Sequence, residues 1–241
     1  MTKASHGVTV GPPSTLALAA ELPRTAWTLG RLAFSRRALA AAPKGDGRPV
    51  LVLPGLFMSD ARTAVLRRYL GGLGYAAHGW GLGTNLALRT IGPGGDRLHA
   101  RIAALAERHG APVTLIGISL GGVMARLAAQ RRPDLVREVI TLCSPFAGSP
   151  RASHVWRPYQ WLTGERIDSA EAAALLAESA APLPVKATAI WSRSDGLVNG
   201  MICHDPDDPS CRAIHIASSH MAVHVNPRVL RAIAEVLGNA R

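Results

Sequence analysis

The stretch VTLIGISLGGVMARL, residues 113–127, joins two secondary-structure patterns with no linker between them. Its first half is a continuous apolar run rich in β-branched residues, as expected of a strand buried on both faces. Its second half reads as the start of a helix. Between them stand Gly117, Ser119, Gly121 and Gly122. A strand that restarts at once as a helix needs a sharp turn, and such a turn lifts the side chain at its apex above the sheet edge. A serine hydroxyl is a weak nucleophile that needs exposure, a base and nearby donors for negative charge. The turn supplies the exposure, and the helix N-terminus supplies donors. Helix and strand then lie so close that a Cβ two residues to either side of the serine would clash, hence the glycines. Ser119 is therefore read as a nucleophile, with the N–H of Leu120 as one oxyanion donor. The competing reading is a serine that merely caps a helix.

Outward from this turn, strand and helix signals alternate. VLVLP (50–54) is a second buried strand, TAVLRRYLGGLG (63–74) a helix closed by glycine, and YAAHGW a weaker strand. GDRLHARIAALAERHG places Leu98, Ile102 and Leu105 on one helix face, and Gly110 stops it. After the helix that runs to about residue 131 come REVITLC, VKATAIW, RAIHIA and the final helix NPRVLRAIAEVLG. The alternation predicts an α/β protein with a mostly parallel central sheet flanked by helices. The chain divides into an N-terminal helical segment, 1–47, and a main domain, 48–241. The main domain carries a short helical cap at about 145–184, after the strand ending near Cys143. An insertion there overhangs the ligand-binding edge of such a sheet. Phe57, Trp156, Tyr159, Trp161 and His224 are expected along a substrate pocket. HGWGLGTN mimics a dinucleotide loop, but its third glycine is misplaced and no helix follows at once.

At 241 residues and 48% apolar composition, the chain is long enough to bury a sizeable core. Its net charge of +11 is almost all arginine, since only Lys3, Lys44 and Lys186 are lysines. The arginines are scattered and show no zinc-finger or RNA-binding spacing, so no nucleic-acid partner is expected. No stretch approaches the ~18 uncharged apolar residues of a membrane span, and the N-terminus lacks a secretory pattern. A cytoplasmic protein is expected. Residues 25–42 form an amphipathic helix with Arg31, Arg36 and Arg37 on its polar side, which packs on the domain or meets a membrane surface. Cys143 reads as a buried core residue. Cys203 and Cys211 flank HDPDDPS, and a disulfide there stands level with two free thiols. The sequence does not specify an oligomeric state.

A serine nucleophile needs an acid and a histidine, in that chain order. Asp195 follows the strand VKATAIW, on the same edge as Ser119. His220 and His224 both lie between the last strand and the last helix, where a base can reach both partners. The second oxyanion donor comes from the loop after VLVLP, where Gly55 lets the backbone approach. Leu56 is the candidate and Phe57 the alternate.

Together, VLVLPGLF, GISLGG, SRSDGLV and SSHMAVHVNPRVL resemble the α/β-hydrolase superfamily, specifically its bacterial lipase- and esterase-like members, over residues from about 48 to the end. The resemblance implies a serine carboxylic ester hydrolase acting on an apolar acyl chain of a small ester or lipid, with Ser119, Asp195 and His220 as the triad. It favours His220 over His224. Many lipases of this group carry His-Gly where this chain has Pro54-Gly55, so an imidazole that braces the oxyanion loop is missing. Some bind calcium near the histidine loop. Here prolines break the spacing of Asp205, Asp207 and Asp208, and neither a metal nor a cofactor is expected. Acyl transfer and thioester hydrolysis use the same triad. A non-catalytic binding module on the same fold is the reading from another class.

Overall fold

Apolar residues on both faces of every central strand build the sheet, because helices cover it on each side. A computed structural model of the chain describes residues 10–164 and 166–239, with only the backbone of Leu162. Residues 1–9 of the N-terminal segment lie outside the described residues.

Three helices come first: α1 (Thr15–Ala19), α2 (Glu21–Phe34) and α3 (Arg36–Ala40). The alternating part follows as β1 (Pro49–Leu53), α4 (Asp60–Leu73), β2 (Ala76–Gly79), α5 (Leu88–Ile91), α6 (Asp96–His109), β3 (Val113–Ile118), α7 (Leu120–Arg131) and β4 (Val136–Leu142). The cap holds α8 (Trp156–Thr163) and α9 (Ala170–Ala180). The chain then completes β5 (Lys186–Trp191), β6 (Cys211–His215) and α10 (Pro227–Gly238). The six strands pair in the order β2-β1-β3-β4-β5-β6, all parallel. Their C-terminal ends therefore share one edge, and the loops after β1, β3, β5 and β6 all open on it.

The period of two along each strand splits the core into two layers. Val50 and Val52 of β1 pack with Leu66 and Leu70 of α4 and with Leu230 and Ile233 of α10. Leu51 and Leu53 pack on the opposite face with Leu98, Ile102 and Leu105 of α6 and Met124 of α7. All five β1 residues are buried. Each such aliphatic side chain contributes roughly 1.5–3 kcal/mol. Gly74 ends α4 in the left-handed conformation, and Asn226 caps α10 by accepting the N–H of Arg228 at 3.0 Å, with Pro227 in the first turn. The cap is tied to the core at the end of α9, where the last carbonyls of a helix lack intrahelical donors. The buried Arg126 guanidinium donates to the Ser179 and Ala181 carbonyls, and Gln130 donates to those of Ala181 and Pro182.

One expectation needs correction, and one open alternative is decided. The single amphipathic helix over 25–42 is two helices broken at Ser35; Leu32 and Leu39 pack on the core with Arg31, Arg36 and Arg37 exposed, but the other large apolar side chains of α2 face outward. Glu21 and Thr28 are buried against the main domain, whereas Leu22, Trp27, Leu29 and Phe34 are exposed. Helix α2 docks through hydrogen bonds, because the loops beneath it offer backbone groups that need partners. The staple between Cys203 and Cys211 does not form. All three cysteines are free and buried: the Cys203 thiol donates to the Asn199 carbonyl at 3.8 Å, and the Cys211 sulfur lies 4.0 Å from Arg126 Nη1.

Candidate active site

Ser119 sits between β3 and α7 with φ 51° and ψ −121°, a strained conformation for a residue with a side chain. Two neighbours show why the strain persists. A Cβ on Gly117 would overlap the backbone of Gly121 and Gly122, and one on Gly121 would meet the carbonyls of Leu53 and Pro54. The turn is locked further by the Ser119 N–H, which donates to Leu142 O at 2.9 Å. The Ser119 side chain faces a cavity. It makes no hydrogen bond shorter than 3.5 Å to any described residue.

Asp195 lies in the loop after β5, 2% exposed. Its Oδ1 accepts the N–H groups of Leu197 and Val198 at 2.9 and 2.8 Å, which fixes the carboxylate plane. Its Oδ2 accepts from His220 Nδ1 at 2.6 Å. Burial alone would make His220 harder to protonate, but Asp195, with a further contribution from Glu21, outweighs it and holds the imidazole above its ordinary pKa of 6.5. With Nδ1 committed to Asp195, Nε2 is the nitrogen left to exchange a proton. The two loops are also stitched together: Ser192 Oγ accepts the Ser218 N–H and donates to the Ser218 carbonyl, both at 2.9 Å.

His224 stands elsewhere. It lies in a short 3₁₀ turn before α10, and burial, with Arg62 and His220 nearby, pushes its pKa down to about 4. Its Nδ1 is buried without a hydrogen-bond partner among the described residues. It does not line the cavity.

In the loop after β1, the Phe57 N–H is already used, donating to Asn85 O at 2.9 Å. That removes Phe57 as an oxyanion donor. Among the described residues, the N–H groups of Leu56 and Leu120 have no acceptor, and both residues line the cavity beside Ser119. The missing imidazole has a substitute that the sequence did not reveal. The buried Asn85 donates from Nδ2 to Pro54 O at 2.7 Å, accepts the Phe57 N–H on its backbone carbonyl, and donates its own N–H to Met58 O. One asparagine thus grips the loop at three points. Only an Asn among polar residues in GLGTN marks it in the sequence, with nothing to say it reaches back to residue 54.

The cavity measures about 300 Å³ and is mostly apolar, with Val123, Met124 and Leu127 on one wall and Leu175 and Leu176 of α9 on another. Trp156 and Tyr159 line it. Phe57 and Trp161 do not: their side chains are 42% and 83% exposed, and the expectation that they line the pocket is corrected together with that for His224. In the acidic loop, Asp208 accepts from Ser210 on Oδ1 while its Oδ2 is buried without a hydrogen-bond partner among the described residues, and Asp205 accepts the Asp207 N–H. Among the described residues, no three His, Cys, Asp or Glu side chains gather as a metal site.

Glu21 is the residue that sequence reasoning missed. From the first turn of α2, its Oε1 accepts the N–H groups of Gly196 and His220 at 2.8 and 3.1 Å, and its Oε2 accepts that of Met221 at 3.2 Å. A carboxylate outside the alternating domain therefore holds the acid loop and the histidine loop together. Arg24 adds a bond to Ser194 O at 2.6 Å, and Thr25 Oγ1 lies 3.1 Å from Ser219 Oγ. In the sequence, Glu21 looked only like an interruption of an apolar run.

No curated protein matches the sequence. A family profile described as alpha/beta hydrolase fold matches residues 99–181, which include the turn at Ser119 and most of the cap. Among solved structures, the monoacylglycerol lipase of Paleococcus ferrophilus superposes with a TM-score of 0.59 at 15% identity, over 83% of this chain and 97% of that one. The Bacillus licheniformis lipase BlEst2 gives 0.58 at 16%, over 82% and 94%. MGS-MChE2, an alpha/beta hydrolase enzyme from the metagenome of Mar Chica lagoon sediments, gives 0.52 at 22%, over 79% and 90%. With its parallel six-stranded sheet and its strand–serine–helix turn, this chain has the alpha/beta hydrolase fold, in an architecture similar to that of these two lipases.

Proposed function

We propose that the protein is a serine hydrolase that cleaves carboxylic esters with an apolar acyl group. The observation that carries the reading is the hydrogen-bonded Asp195–His220 pair on the same sheet edge as a strained, cavity-facing serine. Ser119 Oγ attacks the ester carbonyl while its proton passes to His220 Nε2. The carbonyl oxygen gains the negative charge and is received by the N–H groups of Leu56 and Leu120, which have no acceptor among the described residues. Collapse expels the alkoxide, which takes the proton from His220 and leaves as the alcohol. Water then attacks the acyl-enzyme, giving a proton to His220, and the carboxylic acid departs as Ser119 recovers its proton. Asp195 stabilises the imidazolium and fixes its tautomer without taking the proton. A Ser119–His220 bond absent from the free enzyme forms in the substrate complex, where catalytic hydrogen bonds tighten.

The test is labelling of the protein by a fluorophosphonate, followed by turnover of an acyl-chain series. Wild type is expected to take up one label on Ser119, and Ser119→Ala none. kcat/KM should rise from acetyl to hexanoyl esters by up to about fourfold per methylene, as burial of a CH₂ allows. A protein that stays unlabelled and turns over no ester is a binding module. Acyl transfer to an added alcohol or thiol in preference to water would assign the same acyl-enzyme to a transferase.

A further inference from the structure

Helix α2 carries its polar face inward and its apolar face outward. Glu21, Arg24 and Thr25 each hydrogen-bond to the loops that carry Asp195 and His220, and the buried Thr28 on the same side donates to the Arg24 carbonyl of its own helix. The opposite side presents Leu22, Trp27, Leu29 and Phe34, which are 68, 71, 51 and 92% exposed, and the intervening Pro23, Ala26, Gly30 and Ala33 are exposed as well. Single exposed apolar residues are ordinary, but a whole helix face with two aromatics is not. The helix cannot turn this face inward without breaking the Glu21 bonds to both catalytic loops.

The charge beside this face says what covers it. From Leu22 to Gly45 there is no Asp or Glu, while Arg24, Arg31, Arg36, Arg37 and Lys44 all fall in that span. Arg31, Arg36 and Arg37 are exposed and form no ion pair with a described carboxylate. An apolar face with exposed Trp and Phe and a wholly cationic flank matches the surface of an anionic bilayer, where aromatic and aliphatic side chains enter the headgroup boundary and arginines meet phosphates. A second copy of this chain would bring its own arginines against these and gain no opposite charge. We propose that α2 docks the protein on anionic phospholipid membranes, lying in the interface plane. No helix among the described residues is long and apolar enough to cross a membrane, so the contact is peripheral.

The proposal stands apart from ester hydrolysis, and its readout is binding. The purified full chain is mixed with vesicles of phosphatidylcholine alone or with a quarter phosphatidylglycerol, then floated. Wild type is expected to float with the anionic vesicles, at least about tenfold more tightly than with the neutral ones, and to lose this preference in high salt. Trp27→Ser/Phe34→Ser should weaken binding at least about tenfold, since two exposed aromatics are lost from the buried face. Arg31→Gln/Arg36→Gln/Arg37→Gln should remove the anionic preference, while the triple Lys variant keeps it. All these side chains are exposed, so melting temperatures should match wild type. Failure to float with either vesicle, equal affinity for both, or binding untouched by the variants would overturn the proposal. So would a dimer in sedimentation that Trp27→Ser/Phe34→Ser dissolves without any vesicle binding, since that assigns the face to a second copy.

Discussion

The turn at Ser119 and the helix α2 both shape the sheet edge where Ser119, Asp195 and His220 meet, but by different physical means. The turn is held by steric exclusion: the backbone of α7 lies against the ends of β1 and β3 with no room for a methyl group. Helix α2 is held by directional bonds, chiefly one carboxylate that gathers three N–H groups from two loops. A contact made by excluded volume fails at once when an atom is added. A contact made by hydrogen bonds weakens in steps and is restored by the original group. The two regions should therefore answer mutation differently, and four experiments separate them.

The largest effect is expected for His220→Ala against His224→Ala. Loss of His220 should lower kcat by ~10³-fold or more, nearly as much as loss of Ser119, because members of a triad act as a unit. His224 is neutral at working pH and lies away from the cavity, so its replacement should cost less than about tenfold. Steady-state turnover of an unactivated ester distinguishes them. The reverse order would move the base four residues along the chain and detach it from Asp195.

Next comes Gly121→Ala. The added methyl meets the carbonyls of Leu53 and Pro54, so β1 or α7 must shift. Denaturant unfolding should show a loss of about 1–3 kcal/mol. kcat/KM should fall roughly 10²-fold, the effect of a misplacement near 1 Å. A variant as stable and active as wild type would show that the turn is not sterically locked.

Glu21→Gln should cost about tenfold in kcat/KM, since one acceptor becomes a donor facing a backbone N–H. A pH profile gives the sharper reading. In the proposed mechanism His220 is the base in its neutral form, and its pKa lies above the ordinary value partly because of Glu21. Activity should rise with pH through that pKa, and removing the Glu21 charge should move the rise to lower pH. A loss of rate with an unmoved profile would reduce Glu21 to a structural tether.

The smallest effect is expected at Trp161, 83% exposed and away from the cavity. Trp161→Ala should change kcat/KM less than about twofold on short esters, whereas Tyr159→Ala, which opens the cavity wall, should raise KM several-fold. Equal effects would mean that the cap closes further over substrate than in the free protein.

By itself, the sequence determined what is written in short range and in period. Alternating strand and helix signals, the glycines on either side of Ser119, and the placement of Asp195 and His220 after the fifth and sixth strands follow from backbone geometry, which depends on near neighbours in the chain. The two buried layers were legible in the same way, because strands apolar at every position leave no solvent face. Tertiary structure alone decided the rest. Glu21 meets Gly196 and His220 across 175 and 199 residues, and Asn85 meets Pro54 across 31. Such bonds leave no local pattern, since any polar side chain can satisfy a backbone group that folding happens to bring near. The same cause set the orientation of α2. Amphipathicity gives a helix two faces but does not say which turns inward, and here the N–H groups of Gly196, His220 and Met221 hold the Glu21 side of α2 inward while Leu22, Trp27 and Phe34 stay exposed.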